Sequence, residues 1–251
     1  MSQVFQEYSK YYDLLYKDKD YQSETDFIRS LIKKYAPSSK SLLNIGCGTG
    51  EHDRRLGKEG YEVTGIDLSE EMIKVANAKI SSETCHFELG DARSYRSRRS
   101  FDCVTSLFHV LSYQTSNEDF SNFIDTISAN LNSGGIAIFD YWYGPAVLNV
   151  KPENRIKKMK NGSIEVTRFA STKINYQKNV ATVSYDILLK NLQTKEHFNL
   201  NEDHPMRYYF LPEIELILKH KNLKLLGHFE WMSTNKPPSE HSWSSYTIIQ
   251  K

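Results

Sequence analysis

The chain has 251 residues, of which 39% are hydrophobic, 25% charged and 12% aromatic. This composition excludes a disordered protein and fits one large domain or a medium domain with an insertion. Its 32 Lys and Arg against 31 Asp and Glu leave a net charge of +1, which argues against nucleic acid as a partner because phosphate contacts usually need a basic excess.

The first 140 residues alternate between helical and strand-like patterns. Residues 1–37 read as an amphipathic helix, since apolar residues recur at helical spacing between Phe27 and Tyr35 and Pro37 closes the segment. Helical patterns follow from Glu51, after the capping residue Ser69 and over 120–131, between strand-like runs at 41–45, 61–67, 86–89, 101–108 and 136–140. This alternation predicts an α/β fold with a doubly wound, Rossmann-like and mostly parallel sheet.

The pattern changes after Tyr143. Strand-like runs with turn signals between them predict an antiparallel β insert after the fifth strand, and a helix and a C-terminal hairpin that joins the main sheet come next. The predicted strands are 164–176, 180–190 and 195–201 in the insert and 223–231 and 243–250 in the hairpin, with the helix at 212–221. The chain thus divides at 1–145, 146–210 and 211–251.

A glycine-rich turn ends the first strand. Gly46, Gly48 and Gly50 allow a tight turn whose amides face a polar or anionic ligand, although packing alone also explains such a turn. Glu51 breaks the dinucleotide fingerprint, and no Lys-Ser or Lys-Thr pair completes a phosphate-binding loop.

Two acidic residues follow the next strands at the same carboxyl edge of the sheet. Asp67 ends the second strand, where an acid hydrogen-bonds ribose hydroxyls in such folds, or serves as a plain helix cap. Asp91 follows the third strand. Because ligands of open α/β sheets bind along this edge, the pattern favours a nucleoside-like ligand.

Other classes of site have no signal. Cys47, Cys85 and Cys103 form no C-x-x-C pair, and the histidines form no H-x-x-x-H or H-E-x-x-H pattern, so we expect neither a disulfide framework nor a metal site. We also find no secretory signal and no apolar run of roughly 20 residues, so we expect a soluble, cytoplasmic chain without a membrane partner.

Residues 41–140 resemble the class I S-adenosylmethionine (SAM)-dependent methyltransferases. Segments 42–50 and 65–72 carry the resemblance, and Gly90-Asp91-Ala92, 101–104 and 131–135 match later signature segments in the same order. The resemblance implies SAM as cofactor and S-adenosylhomocysteine as product. It places the methionine part on the glycine turn, the ribose on Asp67, and the adenine at Asp91 between Leu68 and Met72. The full implied cofactor set is Tyr11, Gly46, Cys47, Gly48, Gly50, Asp67, Leu68, Met72, Gly90, Asp91, Ala92 and Leu107.

The N-terminal segment, the exit of strand four and the insert further resemble the sugar N-methyltransferases, which act on nucleotide-linked amino sugars. The resemblance makes the first helix a lid over the SAM-binding domain and the insert a substrate element. That group has a catalytic histidine shortly after strand four, where this sequence has Tyr113, and the nearest imidazole is His109. The acceptor atom, amine or hydroxyl, therefore stays open.

The candidate catalytic residues are His109, Tyr113 and Tyr12. The imidazole of His109 can accept a proton, or it is an ordinary histidine at a helix start. An aromatic wall suits a sugar or base, and guanidinium groups suit a diphosphate, although core packing explains the same aromatic residues. The candidate substrate-binding residues are Tyr16, Tyr141, Trp142, Tyr143, Arg168, Arg207 and Tyr209.

The sequence favours a methyltransferase for a small polar metabolite, most of all a nucleotide-linked sugar. Two alternatives stay open: a methyltransferase for another small molecule, such as a lipid, quinone or amino-acid derivative, and a SAM-binding protein without turnover. Nucleic-acid methylation is the weakest option because no N-P-P-Y or D-P-P-Y tetrapeptide is present. A homodimer also stays open.

Overall fold

A computed structural model describes residues 14–80 and 83–251 of the protein. Tyr11 and Tyr12, two of the candidate site residues, lie outside the described residues. Among those described, no helix is both long and apolar enough to cross a membrane.

The main sheet is built from parallel strands in the order β3-β2-β1-β4-β5. These strands are β1 (Ser41–Ile45), β2 (Glu62–Asp67), β3 (Cys85–Leu89), β4 (Phe101–Ser106) and β5 (Leu131–Tyr143). The order reverses direction between β1 and β4, so the carboxyl ends of these two strands border the switch point where ligands of such sheets bind. The predicted doubly wound sheet is confirmed.

Helices cover both faces of the main sheet. They are α1 (Tyr21–Tyr35), α2 (Glu51–Lys58), α3 (Glu70–Ala78), α4 (Asn117–Asn130), α5 (Gly144–Val150) and α6 (Leu211–His220). Phe27, Leu31 and Leu56 from α1 and α2 belong to the core of one face, and Phe123 and Ile214 from α4 and α6 to that of the other. Each layer buries the apolar stripe of its helices against the sheet.

An antiparallel sheet extends from the carboxyl end of β5. Its strands are β6 (Arg155–Lys160), β7 (Ile164–Asn175), β8 (Val180–Asn191) and β9 (His197–Tyr209), and β9 pairs with β5 where Tyr208 lies beside Trp142. We call these four strands the insert sheet. Leu14 and Leu15 pack with Met159, Val166 and other apolar residues of this sheet, and Met72 of α3 joins the same cluster. The insert sheet is thereby anchored above the carboxyl edge of the main sheet.

The C-terminal hairpin completes the main sheet, as the sequence predicts. Strands β10 (Lys224–Glu230) and β11 (Ser244–Gln250) pair antiparallel, and β11 pairs antiparallel with β5. Tyr246 and Ile248 of β11 are fully buried.

Some boundaries differ from the sequence expectations. Within the described part of 1–37 the long helix runs only from Tyr21, where Asp20 caps it by accepting a hydrogen bond from the Ser23 amide. Residues 155–160 form strand β6 and residues 144–150 form helix α5, and neither element was predicted. Strand β6 contains three lysines, two of them adjacent, and its Ile156 is exposed, so the usual apolar alternation of a half-buried strand is missing.

Candidate active site

A cavity of about 370 Å³ opens at the carboxyl edge of the main sheet, beneath the insert sheet. This volume lies in the range of small-molecule sites. One part of its wall comes from the ends of β1, β2 and β3, and another from the segment after β4, the end of β5 and strands β8 and β9. The cavity therefore touches both sheets.

The three glycines of the turn have left-handed backbones with different surroundings. Their φ angles are +77° at Gly46, +55° at Gly48 and +74° at Gly50. A Cβ on Gly46 would lie 2.3 Å from a methyl carbon of Val110, and one on Gly50 would lie 2.5 Å from the ring of Phe87. A Cβ on Gly48 would meet no atom within 4 Å. Gly46 and Gly48 line the cavity and Gly50 does not, so we correct the assignment of Gly50: it is a packing and helix-cap residue.

Asp67 ties the turn to the end of β2. One carboxylate oxygen accepts a hydrogen bond from the Gly48 amide at 2.9 Å and the other accepts one from the Ser69 amide at 2.9 Å. Burial raises the pKa of Asp67, and these amides act in the opposite direction. The carboxylate lines the cavity in a fixed orientation, with lone pairs remaining for further donors such as ribose hydroxyls.

Asp91 lies across the cavity and is held by Arg93. The Arg93 guanidinium donates to both carboxylate oxygens, at 2.9 Å and 2.6 Å, and the Arg93 amide donates at 2.8 Å. This contact keeps the pKa of Asp91 below its ordinary value. A carboxylate has about four lone-pair sites, so Asp91 can accept a further hydrogen bond from a ligand.

Apolar side chains complete this part of the cavity. Leu68 is half-exposed at the rim, whereas Met72 and Leu107 are buried. The other predicted cofactor-binding residues on this wall are Cys47, Gly90 and Ala92. Burial raises the pKa of the Cys47 thiol well above its ordinary value, so this cysteine is a small apolar wall residue.

A buried polar network supports the turn from below. The Asn44 side chain lines the cavity, donates to Asp53 at 2.8 Å and accepts from Thr105 at 3.0 Å. Asp53 is fully buried on α2, and burial raises its pKa to about 7. Its second oxygen has no hydrogen-bond partner, which fits a carboxyl that holds a proton near neutral pH.

The segment after β4 has an unusual backbone. Phe108 and His109 have φ angles of +68° and +67°, a left-handed conformation that non-glycine residues seldom adopt. The carboxylate of Asp140 on β5 accepts a hydrogen bond from the His109 amide at 2.9 Å, and its other oxygen lies 2.9 Å from His109 Nδ1 without hydrogen-bond geometry. The surrounding contacts thus hold Phe108 and His109 in a strained backbone conformation at the cavity wall. Such strain is often found in functional segments.

A second histidine faces the cavity from the insert sheet. The Tyr113 hydroxyl lies 2.9 Å from His204 Nδ1, and His204 Nε2 lies 3.3 Å from a carboxylate oxygen of Glu202. The side chains of His204 and Glu202 are about 4% and 5% exposed. Tyr113 and His204 line the cavity.

Aromatic rings form much of the remaining wall. Tyr16 meets Phe108 edge-on at 5.1 Å between ring centroids, and Trp142 meets Trp243 edge-on at 5.2 Å. Tyr185 of the insert sheet also lines the cavity, and the Arg168 guanidinium lies 4.4 Å from its ring centroid. Flat apolar faces beside a cation are suited to a ring-shaped, anionic ligand.

Of the predicted substrate residues, Tyr16 and Trp142 line the cavity, and Arg168 contacts the lining residue Tyr185 without lining the cavity itself. The other four lie away from the cavity, and we correct their assignment. Tyr141 and Tyr209 are fully buried in the core, where their hydroxyls contact Thr247 at 3.1 Å and the Gln114 carbonyl at 2.5 Å. Arg207 is buried and pairs with Glu213 at 2.7 Å. Tyr143 packs against the same core as Tyr141. Side chains alternate along a strand, so Trp142 and His204 face the cavity while these four residues face away.

Several cavity residues were not predicted from the sequence. Once Arg168 was selected as a site residue, the alternation of side chains along β8 and β9 could have identified the cavity residues of the insert sheet. No local signal marks the other unpredicted cavity residues. They are Tyr21, Asn44, Thr49, Glu51, His52, Arg93, Phe108, Val110, Gln114, Val183, Tyr185, His204, Met206 and Trp243. Among the described residues, no group of three or more His, Cys, Asp or Glu is arranged to hold a metal ion.

Comparison with known proteins matches one segment of the chain to a protein family. Residues 42–135 match the family described as a methyltransferase domain. The dTDP-3-amino-3,4,6-trideoxy-alpha-D-glucopyranose N,N-dimethyltransferase of Streptomyces venezuelae is 33% identical over 136 residues, which cover 53% of this chain and 56% of the relative. The chain thus spans just over half of the length of that curated relative.

Solved structures share the whole fold. The S-adenosylmethionine-dependent methyltransferase of Clostridium acetobutylicum superposes with a TM-score of 0.79 at 23% identity, covering 96% of this chain and 95% of that one. Streptomyces venezuelae DesVI superposes with a TM-score of 0.80 at 21% identity, covering 97% and 98% of the two chains. At these identities the likeness establishes the fold, including the insert sheet.

Proposed function

Since residues 42–135 match the family described as a methyltransferase domain, we propose that the protein transfers a methyl group from SAM to an amine or hydroxyl of a small polar metabolite. The favoured substrate class is a nucleotide-linked amino sugar. The observation that carries this proposal is a single cavity with two kinds of wall: a glycine turn with two carboxylates on one side, and aromatic rings with two histidines on the other.

The residues present fit SAM. Gly48 leaves open space at the turn, where a Cβ would meet no protein atom, and Asp67 has remaining acceptor capacity for ribose hydroxyls. Met72 and Leu68 offer apolar surface for a base near Asp91. When bound, SAM supplies a methyl group activated by a cationic sulfur.

The chain's own residues orient the acceptor and remove its proton. Positioning supplies much of the rate in such a displacement, because the reacting atoms must be aligned and water excluded. The rings of Tyr16, Phe108 and Trp142 give the acceptor apolar faces to rest on. His109, aligned by Asp140, and Tyr113 are the candidate groups that hold its proton.

The nucleotide-sugar class is supported by relatives and by the insert sheet. The similar Streptomyces venezuelae enzyme is named for a dTDP-linked amino sugar. In this chain Arg168 lies beside the cavity-lining ring of Tyr185, and a guanidinium is a favourable ligand for a diphosphate.

A panel assay tests this proposal. The protein is incubated with methyl-labelled SAM and with dTDP-linked amino sugars, the corresponding free amino sugars, or a lipid, quinone and amino-acid set. We expect label in the dTDP-linked amino sugars and little in the free sugars. Label only in another set would overturn the substrate class, and SAM-analogue binding without transfer to any acceptor would favour a protein without turnover.

A further inference from the structure

Tyr113, His204 and Glu202 form a continuous polar chain that runs from the cavity into the insert sheet. Tyr113 follows β4, whereas His204 and Glu202 lie on β9, and His204 is 91 residues from Tyr113 in the sequence. His204 is enclosed by the ring of Tyr185 at 5.0 Å between centroids. A histidine and a carboxylate are costly to bury unless they are paired, and here the contacts with each other and with Tyr113 offset part of that cost.

The distances bring the three groups into contact, and the chemistry of each group limits which atom can donate. With Glu202 as an ionised carboxylate, which only accepts hydrogen bonds, the relay needs the Nε2 atom of His204 to carry a proton and donate to Glu202. In that tautomer the lone pair is on Nδ1, and the Tyr113 hydroxyl donates to it. A phenolic oxygen that donates its own proton can still accept a hydrogen bond through its lone pairs. Tyr113 therefore presents an acceptor atom at the cavity wall.

On the basis of the proposed function, we propose that Tyr113, His204 and Glu202 are a proton relay for the methyl acceptor. Tyr113 contacts the acceptor as the catalytic residue, and His204 and Glu202 act through it as positioning residues. The relay has the logic of a nucleophile, histidine and acid triad, in which the carboxylate fixes the tautomer and stabilises the imidazolium.

The step balances in atoms and charge. The bond between the methyl carbon and sulfur breaks with its electron pair staying on sulfur, and a lone pair of the acceptor forms the new bond to carbon. The acceptor's proton passes to the Tyr113 oxygen while the Tyr113 proton passes to His204 Nδ1. The positive charge that leaves sulfur thus ends on the His204 imidazolium beside Glu202.

The burial of Tyr113 favours a relay over a permanently ionised tyrosine. Burial raises the pKa of Tyr113 well above its ordinary value, so a standing phenolate is disfavoured at neutral pH. A neutral hydroxyl that accepts one proton while it donates another never carries the negative charge of a phenolate. His109 faces the same cavity, but its amide and Nδ1 both meet Asp140, which holds the strained exit of β4 in place.

The tautomer of His204 tests the relay without any turnover. Nitrogen-15 spectra of histidine-labelled protein bound to S-adenosylhomocysteine, with the His204 signal assigned by its loss in His204→Asn, report which ring nitrogen carries the proton. We expect a neutral ring protonated at Nε2, and a changed tautomer balance in Glu202→Gln. A ring protonated at Nδ1 alone would overturn the relay, because Tyr113 could not then donate to it.

Three variants test the relay in turnover with the dTDP-linked amino sugar that the wild type methylates. Tyr113→Phe removes the contact, His204→Asn keeps an amide near the Nδ1 position but cannot take the proton, and Glu202→Gln removes the charge. Proton-transfer groups typically contribute 10²-fold or more, so we expect kcat to fall about 100-fold in Tyr113→Phe and His204→Asn, and less in Glu202→Gln. KM, S-adenosylhomocysteine affinity and melting temperature should stay near those of the wild type.

Ser184→Ala is the matched control, because Ser184 donates to Asp203 at 2.6 Å on exposed positions of the same two strands. We expect it to keep full kcat. Folded His204→Asn with wild-type kcat would overturn the relay while leaving the proposed function intact. Absence of both methyl transfer and S-adenosylhomocysteine binding in the wild type would instead contradict the proposed function on which the relay rests.

Discussion

At the scale of single residues, neighbouring positions of the glycine turn have different requirements. A side chain at Gly46 would displace Val110, and one at Gly50 would displace Phe87. Gly48 faces open space at the cavity. All three need a left-handed backbone. A Cβ introduced at Gly48 meets no protein atom within 4 Å. Only at this position, therefore, can an effect on ligand binding be distinguished from the cost of the backbone conformation.

Gly48→Ala should weaken binding of S-adenosylhomocysteine more than it destabilises the fold. The left-handed backbone costs an alanine about 1 kcal/mol, and the added methyl group occupies space at the cavity. Gly60→Ala is the control, since Gly60 also has a positive φ of +93° and open surroundings but does not line the cavity. Calorimetric titration and thermal melting of both variants decide the matter; equal affinity in the two would contradict the placement of the cofactor at Gly48.

Asp53→Asn should make stability less dependent on pH. Burial raises the pKa of Asp53 to about 7 in the folded state, against about 3.9 in an unfolded chain. The folded state therefore binds more protons between these values, and the wild type loses stability as pH rises from about 4 to about 7. An asparagine mimics the protonated carboxyl, so the variant should gain on the wild type by at least about 1 kcal/mol between pH 5 and pH 8.

Asp102→Asn provides the opposite case for the same melting experiment. Although burial raises its pKa, the amides of Lys40 and Ser41 hold it at about 2. Its stabilising contribution is present above the unfolded pKa and lost only as pH falls through the folded pKa, so this variant should lose similar stability at pH 5 and at pH 8. The same pH-independent difference in Asp53→Asn would contradict the raised pKa of Asp53.

At the scale of elements, alternation along β5 and β9 decides which side chains reach the cavity. Trp142 lines it, while the flanking Tyr141 and Tyr143 face the core. The sequence showed an aromatic cluster but not which of its side chains face the cavity, because β5 continues past the predicted end at residue 140. Strand phase depends on pairing with β11 and β9, which are distant in the sequence.

Separate substitutions of Trp142 and Tyr141 should distinguish an effect on acceptor binding from an effect on stability. Trp142→Ala should raise the KM of the methyl acceptor and leave the S-adenosylhomocysteine affinity near that of the wild type, because Trp142 lies among the aromatic rings of the wall. Tyr141→Phe loses a buried hydrogen bond to Thr247 and should cost about 1 kcal/mol of stability without changing KM. Steady-state kinetics with melting curves tests both; a raised KM in Tyr141→Phe would return that residue to the site.

Local patterns were sufficient for the main sheet and its glycine turn. Apolar periodicity and the turn residues placed β1 at its observed bounds, and Ser69 caps α3 by accepting from the Met72 amide, as expected. Strand β6 escaped because its lysines and exposed Ile156 carry no apolar alternation. The contact between Tyr113 and His204 escaped because it joins two sheets across 91 residues.

At the scale of the whole molecule, the fold brings together two sheets with different roles. The parallel sheet presents the glycine turn, Asp67 and Asp91 at its carboxyl edge, and the insert sheet covers that edge with His204, Tyr185 and Met206. The apolar cluster of Leu15, Met72 and residues of the insert sheet joins the two. The acceptor is thereby expected to meet the cofactor in one cavity, and the central claim is that the cofactor binds there at the glycine turn and Asp67.

Titration of S-adenosylhomocysteine into the wild type and Asp67→Ala tests that claim most directly. Asp67 joins the turn to β2 and offers acceptor oxygens where ribose hydroxyls are expected. We predict one molecule bound per chain with a Kd below about 1 mM for the wild type, and at least tenfold weaker binding for the variant. A wild type that does not bind at these concentrations, or a folded variant with unchanged affinity, would contradict the account.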